Sequence, residues 1–180
     1  SQFVEWAEES SVPKENILDN GTNSNETRNG AIMDLKIMIE YMRNAGKYDE
    51  NKDALIVLGG DTLFDVQFSL NQVRKEMTNW DLLVLRYTLS SGERVSEKGI
   101  IELDENSKGE VKRIVKFLEK PKEEETSSRE ASPCFYAIQR KALHFLEKYL
   151  NSLSHKSESE ALKQRDAPGH FVRYMVENAK

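Results

Sequence analysis

Residues 55–64 read Leu-Ile-Val-Leu-Gly-Gly-Asp-Thr-Leu-Phe, an apolar run that stops at two glycines and an aspartate. A strand without polar alternation is covered on both faces, as in a parallel sheet flanked by helices. Ligands of open α/β sheets bind beyond the carboxyl ends of such strands, where Asp61 would project. This run therefore predicts a buried strand with a candidate site at its end.

Helical and strand-like segments alternate on either side of this run. Apolar residues at three- and four-residue steps between residues 28 and 45 predict a helix. This alternation predicts an α/β fold with an open, mostly parallel Rossmann-like sheet flanked by helices and an inserted β-hairpin. The remaining expected elements are a short strand at Ile17-Leu18, a helix capped by Ser69, strands at 81–87 and 134–138, hairpin strands at 99–103 and 111–117, a mobile loop at 122–131, and helices at 141–153 and 171–176, with a partly disordered stretch at 154–165.

The composition of the 180 residues excludes several classes of protein. Acidic residues outnumber Lys and Arg by 31 to 26, and the two signs are interleaved, which argues against a nucleic-acid groove. No apolar run approaches the ~20 residues that span a bilayer, so we expect no membrane partner. Cys134 is the single cysteine, which excludes an internal disulfide and fits a reducing compartment. We therefore expect a cytoplasmic protein.

The Gly59-Gly60-Asp61 sequence has two possible interpretations. Glycines let the backbone approach a ligand closely, and Asp61 could share a hard cation with phosphate oxygens. Alternatively, the sequence forms a tight turn in which the aspartate caps the next segment. Taken alone, this stretch leaves both interpretations open.

Two further stretches could bind a ligand. In Phe117-Leu-Glu-Lys-Pro121, the proline predicts an extended Lys120, which could hold a phosphate while Glu119 accepts sugar hydroxyls. The alternative is an ordinary exposed strand end. In the polar loop at 20–31, Gly30 would leave backbone N–H groups free at a helix N-terminus. Here the alternative is simple capping of that helix by Asn25 or Thr27.

In this order and spacing, the three stretches resemble the sugar-1-phosphate nucleotidyltransferases, the family of glucose-1-phosphate thymidylyl- and adenylyltransferases and mannose-1-phosphate guanylyltransferases. The resemblance runs from about Asn16 to Glu177. It rests on Gly60-Asp61, Gly99-Ile-Ile, Glu119-Lys120-Pro121 and Phe135-Tyr-Ala-Ile138.

The resemblance implies roles for individual residues. Asp61 matches the aspartate that binds Mg²⁺ together with the nucleotide phosphates, and Gly60 belongs to the same substrate-binding turn. Gly30 matches the glycine that lies against the base. Lys120 matches the lysine that holds the sugar phosphate, Glu119 matches the carboxylate that binds sugar hydroxyls, and Gly99 matches a glycine close to the sugar. Asp61 and Lys120 are the expected catalytic pair.

The resemblance also implies an activity, in which a nucleoside triphosphate and a sugar 1-phosphate give a nucleotide sugar and pyrophosphate. A non-catalytic regulatory module that binds a nucleotide sugar is the alternative, and homo-oligomers are possible. The family's opening glycine-rich loop and its C-terminal end have no counterpart in residues 1–180, where Cys134 also replaces a usual glycine. We therefore expect a single nucleotidyltransferase-like domain that is incomplete and inactive on its own.

Overall fold

The computed structural model describes residues 2–49 and 51–179. These residues form six α-helices, seven strands and four short 3₁₀ turns. In chain order, the helices and strands are α1 (Gln2–Glu9), α2 (Ala31–Asn44), β1 (Leu55–Leu58), α3 (Leu70–Glu76), β2 (Leu82–Val84), β3 (Tyr87–Thr88), β4 (Gly99–Leu103), β5 (Ile114–Glu119), β6 (Glu130–Ser132), β7 (Phe135–Ile138), α4 (His144–Ser152), α5 (Glu158–Asp166) and α6 (Pro168–Asn178).

The first sheet has three strands in the order β1-β7-β2. The central strand β7 runs antiparallel to both neighbours, with Leu58 opposite Phe135 and Val84 opposite Tyr136. The expected mostly parallel, Rossmann-like sheet is therefore wrong, because every strand pair in the described part of the chain is antiparallel. What the structure shows is a mixed α/β fold with antiparallel sheets.

The apolar run at β1 was informative about burial but not about strand direction. Leu55 and Val57 pack on a core shared with α2, α4, α5 and α6, whereas Ile56 packs towards α3 on the other face. Both faces of the strand thus make apolar contacts, but Leu55, Ile56 and Val57 are only partly buried and Leu58 is exposed, so the expected burial is incomplete. An apolar run has the same appearance whether the neighbouring strand is parallel or antiparallel, so the direction of β7 could not be inferred from it.

The second sheet has four strands in the order β3-β6-β4-β5. Its β4 and β5 form the predicted hairpin, although β5 begins at Ile114, three residues later than expected. In the hairpin register, Gly99 lies opposite Glu119 and Ile101 lies opposite Phe117. Phe117 and Ile101 are buried in the core against which side chains of the first sheet also pack. One apolar core is therefore shared by the two sheets.

Several local expectations need correction. Residues 17–20 form no strand, and the stretch expected to be partly disordered contains α5, whose N-cap Ser157 accepts a hydrogen bond from the Glu160 N–H. The loop expected at 122–131 includes a 3₁₀ turn and the start of β6. Ser69 caps α3 as predicted. None of the helices in the described residues has the length and apolarity needed to cross a bilayer.

Candidate functional site

Asp61 lies in the exposed turn three residues beyond the end of β1, which is an edge strand of the described sheet. The preceding Gly59 makes room for it, because a methyl group on Gly59 would lie 2.8 Å from Asp61 Oδ1 and 3.2 Å from Cys134 Cβ. The Gly59 N–H also donates to the Cys134 carbonyl over 2.7 Å. Gly60 is exposed, with open space beside its Cα. The turn therefore folds Asp61 back towards the start of β7.

Glu119 ends β5 and is half-buried. Among the described residues, none donates a hydrogen bond to its carboxylate. Burial raises the pKa of Glu119, and the charge of the adjacent Lys120 opposes that rise. The carboxyl group lies against two glycines, Gly99 on β4 and Gly169 on α6. Its oxygens therefore remain available as acceptors in a partly dehydrated place.

Cys134 lies within electrostatic reach of both carboxylates. Burial raises the pKa of its thiol, and Asp61 and Glu119 raise it further. Tyr136, two residues along β7, is buried, and its raised pKa has burial as its main cause, with contributions from Cys134 and Glu119. Asp61 and Glu119 therefore both lie near Cys134, the residue that precedes β7. Their roles towards a ligand stay predictions.

Lys120 is exposed and has a φ of +48°, the left-handed region that residues other than glycine rarely adopt. The expectation of an extended backbone at Lys120 is therefore wrong. Its N–H donates to the Lys98 carbonyl over 2.9 Å, and this bond holds the turn against the local preference set by Pro121. Non-glycine residues in such conformations are concentrated at functional sites. Lys120 also contributes to lowering the pKa of His170, after burial and Arg173, which places it near the start of α6.

Gly30 is the N-cap of α2, with φ +87° and ψ 145°, and no side chain caps this helix. Capping by Asn25 or Thr27 is therefore wrong. A methyl group on Gly30 would lie 2.9–3.0 Å from Arg165 atoms, two of which belong to the backbone. The close approach of α5 thus gives this glycine a structural reason, and contact with a base stays a prediction.

Gly99 lies where β4 meets the end of β5. A methyl group there would be 2.7 Å from Phe117 Cζ and 3.5 Å from Glu119 Oε2. The predicted glycine therefore borders Glu119 directly, while its role in binding a sugar stays a prediction.

The predicted Mg²⁺ would have one protein carboxylate at this place. The described residues contain no group of three His, Cys, Asp or Glu side chains arranged to hold a metal ion. Mg²⁺ commonly binds proteins through one or two carboxylates, with phosphate oxygens and waters completing its shell. The exposed Asp61 fits a cation that arrives with a nucleotide, and does not by itself form a closed metal centre.

A cleft of about 660 Å³ lies elsewhere, along β2, α3 and the end of α6. Phe68, Leu83 and Met175 are among its lining residues, and none of the predicted site residues lines it. Charged residues such as Arg86, Lys112 and Arg113 line it together with the apolar ones. The candidate site is therefore placed at Asp61 and Glu119 because the residues predicted from the sequence lie there, and not because the cleft lacks charge.

Gly169 and Tyr136 border the site, although no sequence motif points to them as site residues. Gly169 belongs to the segment Asp166-Ala-Pro-Gly169 at the junction of α5 and α6. In the structure, Asp166 pairs with Arg28 over 2.9 Å, and Gly169 faces Glu119. A glycine one residue into a helix was the available signal, because glycine destabilises helices unless a close contact needs it.

The family model described as nucleotidyl transferase matches residues 27–174. No curated protein is similar enough to match the chain. The match covers most of the 180 residues, and it includes β1 with Asp61, the hairpin with Gly99 and Glu119, and the start of α6. The chain therefore belongs to the nucleotidyl transferase family.

Proposed function

We propose that the chain acts in nucleotidyl transfer from a nucleoside triphosphate to a sugar 1-phosphate, with a nucleotide sugar and pyrophosphate as products. Family membership supports nucleotidyl transfer and a nucleoside triphosphate substrate in general. The sugar 1-phosphate is the further step of the proposal. It is supported by Glu119, whose half-buried carboxylate has acceptor oxygens without a donor among the described residues.

One observation carries the proposal: the Asp61 turn packs against Cys134, and Glu119 lies opposite Gly99, which itself pairs with Ser132 two residues before Cys134. Asp61 comes from the end of β1 and Glu119 from the end of β5. Both carboxylates therefore lie near Cys134. Asp61 is suited to a nucleotide-bound cation, and Glu119 is suited to sugar hydroxyls. Such an arrangement suits two substrates that must meet at one phosphorus atom.

In this proposal, each residue binds or orients a substrate. Glu119 accepts hydrogen bonds from sugar hydroxyls, and Lys120 holds the sugar phosphate as a positive charge. An oxygen of that phosphate forms the new bond to the α-phosphorus while the bond to the pyrophosphate oxygen breaks in line. Asp61 would hold the Mg²⁺, which neutralises charge on the phosphates when it is bound. No covalent bond to the protein is needed.

Binding measurements test the proposal independently of turnover. We expect a sugar 1-phosphate to bind to the chain and to shift the NMR signals of Gly99 and Glu119. Lys120→Ala should weaken that binding about tenfold or more, because the cation is aimed at the phosphate. Lys108→Ala, in the exposed turn of the hairpin, is the charge-matched control and should bind normally. Equal affinities of both variants and the wild type would contradict the role of Lys120.

The Mg²⁺ site has its own test. Asp61→Asn should reduce the Mg²⁺-dependent part of nucleoside triphosphate binding, whereas Glu105→Gln, an exposed neutralisation in the hairpin turn, should not. Pyrophosphate release with each nucleoside triphosphate and a panel of sugar 1-phosphates measures the reaction itself. Binding of a nucleotide sugar without any turnover would favour the regulatory module instead.

A further inference from the structure

Gly169 lies in the first turn of α6, where its Cα is buried against the end of β5. A methyl group on Gly169 would overlap Glu119 Oε2, and it would lie 2.8 Å from both Glu119 Cδ and Phe117 Cε1. Real Cβ atoms do not approach other heavy atoms this closely. The space that the Glu119 carboxylate occupies therefore exists because residue 169 has no side chain.

The backbone conformation at this position does not explain the glycine. Gly169 is not among the glycines with positive φ, so an alanine could adopt its helical geometry. Glycine inside a helix is also less favourable than alanine by about 0.5–1 kcal/mol. The close approach of Glu119 and Phe117 is the remaining reason for glycine here.

Gly99 borders the same carboxylate on the other side. It lies opposite Glu119 in the β4–β5 register, and a methyl group there would be 3.5 Å from Glu119 Oε2. The two glycines come from elements far apart in the chain, and together they form a slot for the end of the Glu119 side chain. Of the two, Gly169 makes the closer contact.

We propose that Gly169 is a positioning residue: it holds the Glu119 carboxylate in the slot beside Gly99. This inference rests on the proposed function for the meaning of that position, since Glu119 is the expected sugar acceptor. The carboxylate is the flexible end of its side chain, so Gly169→Ala should displace it from the slot towards solvent. The variant therefore moves Glu119 without removing it.

The first measurement reports the position of Glu119 and needs no ligand. In the wild type, burial raises the pKa of Glu119, with Lys120 opposing the rise and with Cys134 and Tyr136 nearby. A carboxylate displaced into water should titrate closer to its ordinary value. An NMR titration of the Glu119 carboxyl should thus show a lower pKa in Gly169→Ala. An unchanged pKa in a folded variant would overturn the inference.

Gly92→Ala is the matched control, because Gly92 is exposed and has open space where the methyl group would go. This substitution should leave the pKa of Glu119 unchanged. An equal pKa change in the control would overturn the inference, since the effect would then not come from contact with the carboxylate.

The second measurement is binding of a sugar 1-phosphate. We expect Gly169→Ala to weaken it about tenfold or more, because small displacements of binding groups have large effects. If the pKa of Glu119 falls while affinity is unchanged, the positioning role stands and the contact of Glu119 with the sugar is overturned. The two failures are therefore distinguishable.

A double variant covers the case in which Gly169→Ala does not fold. Glu119→Ala removes the group that the new methyl would meet, so Gly169→Ala with Glu119→Ala should recover the fold. Recovery would support a clash with Glu119 as the cause. A double variant that remains unfolded would overturn the inference, since Phe117 would then be the residue that requires the glycine.

Discussion

Glu119 is a single residue whose ionised side chain is placed at the expense of stability. Its carboxylate is half-buried, with no hydrogen-bond donor among the described residues and with one adjacent cation, Lys120. Removing a charge from water without a compensating partner is unfavourable. The raised pKa of Glu119 is the expression of that cost in the folded state.

We predict that Glu119→Gln is more stable than the wild type at pH 8. A carboxyl group whose pKa is raised on folding favours the folded state below its unfolded pKa, and that advantage is lost as pH rises through the folded pKa. The ionised form is therefore the destabilising one. The difference in Tm between variant and wild type should be largest at pH 8 and should shrink as pH falls towards 4.5.

Thermal unfolding of both proteins at several pH values measures this difference. Glu105→Gln, in the exposed hairpin turn, serves as the control and should change Tm little at any pH. A Glu119→Gln variant that is less stable than the wild type at pH 8 would contradict the prediction, because it would mean that the carboxylate makes a favourable interaction.

At this scale, the sequence pointed to Asp61 and Glu119 but not to Gly169. Asp61 and Glu119 are charged residues at the ends of apolar segments. Such a pattern can be recognised within one short segment of the chain. Gly169 matters through its contact with Glu119, fifty residues earlier in the chain. A contact of that kind leaves no local pattern in the sequence.

Among the elements, the junction of α2 with α5 depends on Gly30. Its φ of +87° with ψ 145° belongs to a region that side chains exclude, and the backbone of Arg165 lies 3.0 Å from the place of a methyl group. Arg165 Nε also donates to the Asn29 carbonyl over 2.6 Å. The start of α2 and the end of α5 thus pack closely together at Gly30.

We predict that Gly30→Ala lowers the free energy of unfolding by about 2–4 kcal/mol, from backbone strain together with overpacking. Gly46→Ala is the matched control, because Gly46 has φ +66° and open space around its Cα. The control should lose only the strain component, about 1 kcal/mol. Urea unfolding of both variants measures the two values, and equal losses would contradict the role of the α5 contact.

The elements themselves were predicted with uneven success. The helix at α2 and the hairpin of β4 and β5 were found because their apolar periodicities are strong. Helix α5 was missed because it buries only Ala161 fully and shows almost no apolar face. Such a helix is stabilised by its contacts with α2 and α6, which its own sequence does not show.

For the whole molecule, one apolar core connects the two sheets. Val57 and Val84 of the first sheet pack on the same core as Ile101 and Phe117 of the second. Phe117 is fully buried between β4 and α6, where it also borders Gly99 and Gly169. The two sheets should therefore unfold together.

We predict that Phe117→Ala destabilises the whole chain by about 3–5 kcal/mol in a single transition. Trp80 precedes β2 and serves as a reporter for the first sheet when Trp6 is replaced in a Trp6→Phe background. In each protein, Trp80 fluorescence and far-UV circular dichroism should give one shared unfolding midpoint. The Phe117→Ala substitution should lower that midpoint equally for both signals. A shift in circular dichroism without a shift in Trp80 fluorescence would contradict a shared core.

Local periodicity and residue type were enough to predict the alternation of strands and helices, the apolar contacts on both faces of β1 and the charged residues at the strand ends. The tertiary structure alone decided that β7 lies antiparallel between β1 and β2. It also decided the left-handed turn at Lys120 and the slot between Gly99 and Gly169 that holds Glu119. The physical reason is that strand pairing and close packing join residues distant in the chain, and their free energies outweigh local preferences such as the one that Pro121 imposes on Lys120.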